Sequence, residues 1–168
     1  MLFWIIMIMI MIMMIIIKII IKITIKIKRM PKLEHFAKTL NLIGIGPGII
    51  KKLYEAGITS IPKLVNIKPD FIVGIEGFQT KSAEKIVSEL SRAVCESNLA
   101  SMMVASNVFG RGLGHKKIKL ILKANPELKM DIGPIHGLST DTIDDFLKNL
   151  PKFYEFAKSI GYTVVKDD

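Results

Sequence analysis

The sequence predicts an all-α chain built largely from four tandem helix–turn–helix units, and three observations carry that prediction. No stretch shows the apolar–polar alternation of a half-buried strand. One unit recurs four times with no gap inside it: IGIGPGIIKKLYEAG (Ile43–Gly57), EGFQTKSAEKIVSEL (Glu76–Leu90), RGLGHKKIKLILKAN (Arg111–Asn125) and HGLSTDTIDDFLKNL (His136–Leu150). Counted from the aligned glycines Gly44, Gly77, Gly112 and Gly137, apolar residues recur six, nine and ten positions later, a spacing that puts them on one helical face.

The elements follow in order. Residues 1–30 read as a low-complexity segment. Residues 1–17 are uninterruptedly apolar, and Lys18, Lys22, Lys26, Lys28 and Arg29 follow without a single acid. Three origins stay open for this segment. It is a membrane anchor at the short end of the spanning range, with a basic cytoplasmic flank; or an extension encoded by A/T-rich sequence, with Met30–Pro31 as a start; or a core element. A signal peptide fits poorly, because the charge follows the apolar run and no small-residue cleavage site appears. Residues 31–162 read as the folded domain and 163–168 as a tail.

Within the domain, a helix over 33–41 leads into the first turn, followed by helices at 48–56 and 61–66. NIKPDFIVGIEGF connects to the second turn, and a long helix is expected over 80–105. The third turn occupies 110–115 with a helix to 124. NPELKMDIGPIHGL connects to the fourth turn, and helices near 140–148 and 151–160 close the domain.

Each turn has the same construction. The leading glycine permits positive φ. The apolar residue after it (Ile45, Phe78, Leu113, Leu138) plugs the groove between two helices. Gly46 and Gly114 leave a further amide bare, whereas Gln79 and Ser139 replace glycine in units two and four. The turn ends at a helix N-terminus, where free N–H groups and the positive end of the helix together suit an anion. Gly110, Gly112 and Gly114, followed at once by His115, Lys116 and Lys117, make the third turn the most basic.

This unit resembles the helix-hairpin-helix motif of DNA repair and replication proteins, whose Gly-apolar-Gly turn grips DNA phosphates through its amides. Four such units resemble the C-terminal helix-hairpin-helix domain of NAD-dependent DNA ligases, and SNVFGRGLGHKKIKLIL (Ser106–Leu122) resembles the third unit of viral and phage-type members. The resemblance covers roughly Leu33 to Gly161. It implies duplex DNA, intact or nicked, as partner, bound without sequence preference through Gly44, Ile45, Gly46, Gly77, Phe78, Lys81, Lys85, Gly110, Arg111, Gly112, Leu113, Gly114, His115, Lys116 and Lys117. It also implies an intracellular setting, such as the cytoplasm or viral factory of an infected cell. The nucleotidyl-transfer motif Lys-x-Asp-Gly of such ligases is missing from the sequence, as are a zinc-binding cysteine quartet and an oligonucleotide-binding barrel. The expectation is therefore a ligase-like fragment with no catalytic residues, no metal and no cofactor, not ligating by itself. The alternatives are a ligase subunit acting in trans with a separate catalytic chain, and a membrane-tethered helical domain that binds protein.

Composition limits other functions. Lys plus Arg number 24 against 15 acids. Five of those basic residues lie before Pro31, so the domain itself is only mildly basic and its charge alone is weak support for nucleic acid. A lone cysteine, Cys95, excludes an internal disulfide and reads as a small buried residue. Three scattered histidines do not make a metal site. Adjacent Asp144 and Asp145 point about 100° apart on a helix, which does not suit a catalytic carboxylate pair. The GIGPG and GRGLG strings complete neither the P-loop nor the dinucleotide-binding fingerprint. Asp141, Asp144 and Asp145 would repel phosphate, so unit four reads as structural support for unit three. Met102 and Met103 read as packing residues.

Overall fold

The computed structural model describes residues 2–110 and 112–164, with side chains from Trp4 to Thr24 and from Met30 onward. The candidate Arg111 and the end of the expected tail lie outside the described residues. The described chain is helical with no strand. Its elements are α1 (Leu2–Thr39), α2 (Pro47–Glu55), α3 (Ile61–Val65), α4 (Pro69–Val73), α5 (Thr80–Glu96), α6 (Leu99–Ser106), α7 (His115–Ala124) and α8 (Thr140–Ser159).

Five local expectations need correction. The apolar segment and the first domain helix are one element, because α1 continues through Pro31. Helix α4 lies where a connection was expected; Pro69 occupies its first turn, where a missing N–H costs nothing. The expected helix over 80–105 breaks into α5 and α6. Asn98 adopts extended backbone and its Oδ1 accepts the Ser101 N–H at 2.8 Å, capping a new helix start. Conversely, α8 does not break at Pro151. Its lost backbone bond is outweighed by keeping Phe146, Leu150, Phe153 and Ala157 on one buried stripe. Cys95 is exposed, not buried: α5 turns Ala83, Ile86, Leu90, Ala93 and Val94 to the core and leaves Cys95 on the outside.

The core runs through the whole helical domain. Leu33 and Phe36 of α1, Leu53, Leu64, Ile72, Leu90, Met102, Met103, Ile118, Phe146 and Phe153 are essentially inaccessible to solvent. The repeat columns are buried as their spacing requires. Six after the glycine, Ile50, Ala83, Ile118 and Ile143 are buried; nine after, Leu53, Ile86, Ile121 and Phe146 are buried. From Ile75 to Leu90 and from Ile135 to Leu150 the order of buried, half-buried and exposed positions is identical, residue for residue. Units three and four are locked together by aromatic packing. Phe109, at the entrance to the third turn, stacks on Phe146 of α8 at 4.9 Å between ring centroids and also meets Phe153 at 5.8 Å.

The first half of α1 is different. Trp4–Thr24 is a 21-residue span with none of its residues buried in the protein. At 1.5 Å per residue it is about 31 Å long, enough to cross a bilayer core.

Candidate nucleic-acid interface

Each recurring turn delivers the chain into a helix in the same backbone register. The N-cap of α2 is Gly46 (φ −83°, ψ 177°), that of α5 Gln79 (−119°, 165°), that of α7 Gly114 (−81°, 178°) and that of α8 Ser139 (−78°, 153°). Each stands two residues after the aligned glycine. Gly44, Gly77 and Gly137 adopt φ of 76°, 87° and 87°, the left-handed region that L-residues avoid. The plug residues Ile45 and Leu113 are buried, while Phe78 and Leu138 are half-buried. Gly44, Gly46, Gly77, Gly112, Gly114 and Gly137 all face solvent. A Cβ added at Gly44, Gly46, Gly112 or Gly114 would meet nothing within 4 Å, so the first and third elbows stand clear of the rest of the protein at these positions.

Although alike in shape, the turns differ in how they use their N–H groups. In unit two, the Phe78 N–H donates to the Ile75 carbonyl at 3.2 Å and the Gln79 N–H donates to Ser82 Oγ at 2.9 Å. In unit four, the Leu138 N–H donates to the Ile135 carbonyl at 3.1 Å, and Ser139 Oγ accepts the Thr142 N–H at 3.4 Å. The glycine N-caps of α2 and α7 have no side-chain cap at all. Within α2, Pro47 contributes no N–H, and Ile49 and Ile50 both donate to the Gly46 carbonyl. The first turn of α7 has no proline and no cap, so it keeps more N–H groups for an outside acceptor.

Cations surround these elbows. Lys116 and Lys117 are exposed on the first turn of α7. His115, the first residue of α7, is half-buried with Nε2 3.3 Å from Ser101 Oγ, so it also ties α7 to α6. Lys81 and Lys85 line one groove with Ile43 of the first turn and another with Gly77 and Phe78 of the second. The third elbow overlooks a groove of about 640 Å³ between α1 and α6, lined by Lys32, His35, Asn107, Gly110, Leu113 and Gly114. Exposed Asp141, Asp144 and Asp145 give the fourth elbow the opposite sign.

Two residues at these turns were not anticipated from the sequence. Glu89 of α5 accepts the Ile43 N–H at 2.6 Å and pairs with Arg92 at 2.7 Å. Its carboxyl is held below the ordinary carboxylate range, first by Arg92 and then by the Ile43 amide. Lys52 of α2 reaches the second turn: Nζ lies 3.4 Å from the Glu76 carbonyl and 5.5 Å from the centre of the Phe78 ring. The signal for Lys52 lay in the repeat itself, since it occupies the same column as Lys85, eight residues after the aligned glycine.

Comparison with known proteins agrees with this geometry. Residues 36–92 match the family of SAM-like helix-hairpin-helix tandems. The chain is 35% identical over 150 residues to a DNA ligase of Acanthamoeba polyphaga mimivirus, covering 82% of this chain and 23% of that protein. It is 30% identical over 102 residues to putative DNA ligase 052L of Invertebrate iridescent virus 3, covering 61% of this chain and 13% of that protein. The chain thus spans about a quarter or less of the length of these relatives. No solved structure matches it. The chain is thus similar to helix-hairpin-helix tandems over residues 36–92 and, over most of its length, to a viral DNA ligase, and its described residues form helices without a strand.

Proposed function

We propose that the helical domain binds duplex DNA along its sugar-phosphate backbone without reading base sequence, as the DNA-holding part of a ligase-related activity. The observation that carries this reading is the pair of exposed, uncapped helix N-termini at Gly46 and Gly114. Amides and helix dipoles at such sites attract phosphate oxygens and carry no information about the bases. Gly44, Ile45 and Gly46 form one grip. Gly110, Arg111, Gly112, Leu113, Gly114, His115, Lys116 and Lys117 form another. Gly77, Phe78, Lys81 and Lys85 add a contact that depends on side-chain cations more than on amides. Unit four, acidic and joined to unit three through Phe109 and Phe146, braces the third grip.

The test is a fluorescence titration of the full chain, in a nonionic detergent, against two labelled duplexes of unrelated sequence at several salt concentrations. Equal affinities are expected, falling with salt at a log–log slope of about −0.9 per phosphate contact. Absent or salt-independent duplex binding rejects the reading, and so does a strong preference for one duplex. A nicked duplex in the same series measures preference for a break.

A second reading rests on a separate observation, the bare Trp4–Thr24 span. In this reading the domain is tethered to a bilayer, with Trp4 near one interface and the lysines of residues 18–28 at the other. Resistance of the full chain to carbonate extraction from vesicles supports it, and release into the carbonate supernatant rejects it.

A further inference from the structure

The second turn has used two of its own N–H groups internally, through Ile75 and Ser82, and it carries Gln79 where units one and three carry glycine. Taken alone, it offers an anion less than its neighbours do. Yet a cation from another unit is already placed on it. Lys52 leaves α2 and puts Nζ over the Phe78 ring and beside the Glu76 carbonyl. It stands so close to Gly77 that a Cβ there would lie 2.8 Å from Nζ. No carboxylate pairs with Lys52 among the described residues, so its charge remains available. The same column of unit two holds Lys85, which lines its own turn's groove with Gly77 and Phe78 and also a groove with Ile43 of the first turn, where Glu84 and Glu89 are neighbours and Glu89 accepts the Ile43 N–H.

We propose that units one and two exchange these lysines: Lys52 supplies the second turn with the cation of a phosphodiester site, and Lys85 does the same for the first turn. The two lysines share a repeat column, but only Lys52 contacts the other unit's turn directly, through the Glu76 carbonyl and the Phe78 ring. Units three and four lack the exchange, because their residues in that column are Leu120 and Asp145. The site is specific to a backbone phosphate, since a lysine ammonium is a point charge with no planar geometry to match a base edge. It rests on the duplex-binding reading above, with Lys52 as a ligand-contacting residue beyond those the turns themselves provide.

The experiment uses the full chain in nonionic detergent and the same duplex titration, with Lys52→Gln, Lys52→Arg, Lys85→Gln and Lys63→Gln. Lys52→Gln keeps a donor for the Glu76 carbonyl but removes the charge. Loss of one phosphate contact reduces the salt slope by about 0.9 and weakens binding about eightfold at 0.1 M salt. That result is expected for Lys52→Gln and for Lys85→Gln, with both thermal midpoints unchanged. Lys52→Arg should retain both slope and affinity, and Lys63→Gln, on α3, should match the parent. A Lys52→Gln protein with the parental slope overturns the exchange. So does one whose binding loss is matched by a fall in thermal midpoint, since Lys52 would then be only a strut between α2 and the second turn. If the parent binds and Gly114→Ser weakens it while both lysine variants behave as the parent, the exchange fails and the duplex-binding reading stands. If the parent itself binds no duplex, both fall together.

Discussion

Replacing Gly114 with serine should make the protein more stable and a poorer DNA binder at once. The position is the N-cap of α7 at φ −81° and ψ 178°, close to the −78° and 153° of Ser139, which caps α8 with its hydroxyl. Serine therefore fits without backbone strain, and a Cβ there meets nothing within 4 Å. Removing glycine from the unfolded chain contributes about 0.4–1 kcal/mol, and exchanging a glycine cap for a serine cap adds a few tenths. The total of about 1 kcal/mol raises the thermal midpoint by roughly 2–4 °C for a chain of this size. The same hydroxyl accepts an N–H at the start of α7, the group proposed to hold a phosphate, and its Cβ stands where that phosphate must approach. Loss of one contact lowers affinity about eightfold at 0.1 M salt and the slope by about 0.9. Thermal denaturation read by circular dichroism, beside the duplex titration, measures both. Stability and affinity moving in the same direction, or affinity unchanged in a stabilised variant, would refute the assignment of the α7 N-terminus as a phosphate grip.

Two further outcomes follow from the packing. Phe146→Ala should cost about 3–5 kcal/mol in urea denaturation, because the ring is fully buried and stacked on Phe109; a cost under 1 kcal/mol would mean that unit four does not brace the third turn. The Glu89 carboxyl titrates below its usual value of 4.5 in the folded protein, so its contribution to stability is complete above about pH 4.5 and is lost as pH falls through the lowered value. Stability measured between pH 7 and pH 3 should therefore fall less steeply in Glu89→Gln than in the parent, and equal slopes would refute the link.

Much of this architecture was legible because the repeat states its own register. The helices expected at 48–56 and 61–66 are Pro47–Glu55 and Ile61–Val65, and the third-unit helix ends at Ala124 as expected. Position after position, the apolar columns are buried where a helical face requires. What escaped the sequence was the competition between local signals and packing. Pro151 reads locally as a break, yet the apolar stripe through Leu150 and Phe153 holds α8 intact across it. Asn98 sits within an apolar helical pattern, and only its Oδ1 bond to Ser101 shows that it starts a new helix. The candidate elbows could be read from glycine spacing alone. The partners that reach them could not: Lys52 and Glu89 act across 24 and 46 residues of sequence, on carbonyl and amide groups that become neighbours only when units one and two pair.

The divergence of the four turns has a physical basis in the N–H groups themselves. An amide at a helix start either bonds within the protein and stabilises it, or stays bare and can hold an anion; it cannot do both. A capping side chain stabilises a helix by about 1 kcal/mol, so a chain under selection for stability alone has reason to cap every start. Unit four does so with Ser139, and unit two turns the Gln79 N–H onto Ser82. Gly46 and Gly114 forgo a side-chain cap in backbone conformations close to that of Ser139 in the same fold. Local geometry therefore does not require glycine at either position. Close approach of a phosphate, as proposed above, would favour it, and exposed Lys116 and Lys117 flank the third elbow. On the proposed duplex-binding reading, the two uncapped turns are the sites at which stability is exchanged for contact, and the two internally bonded turns are the frame that lets the others remain open.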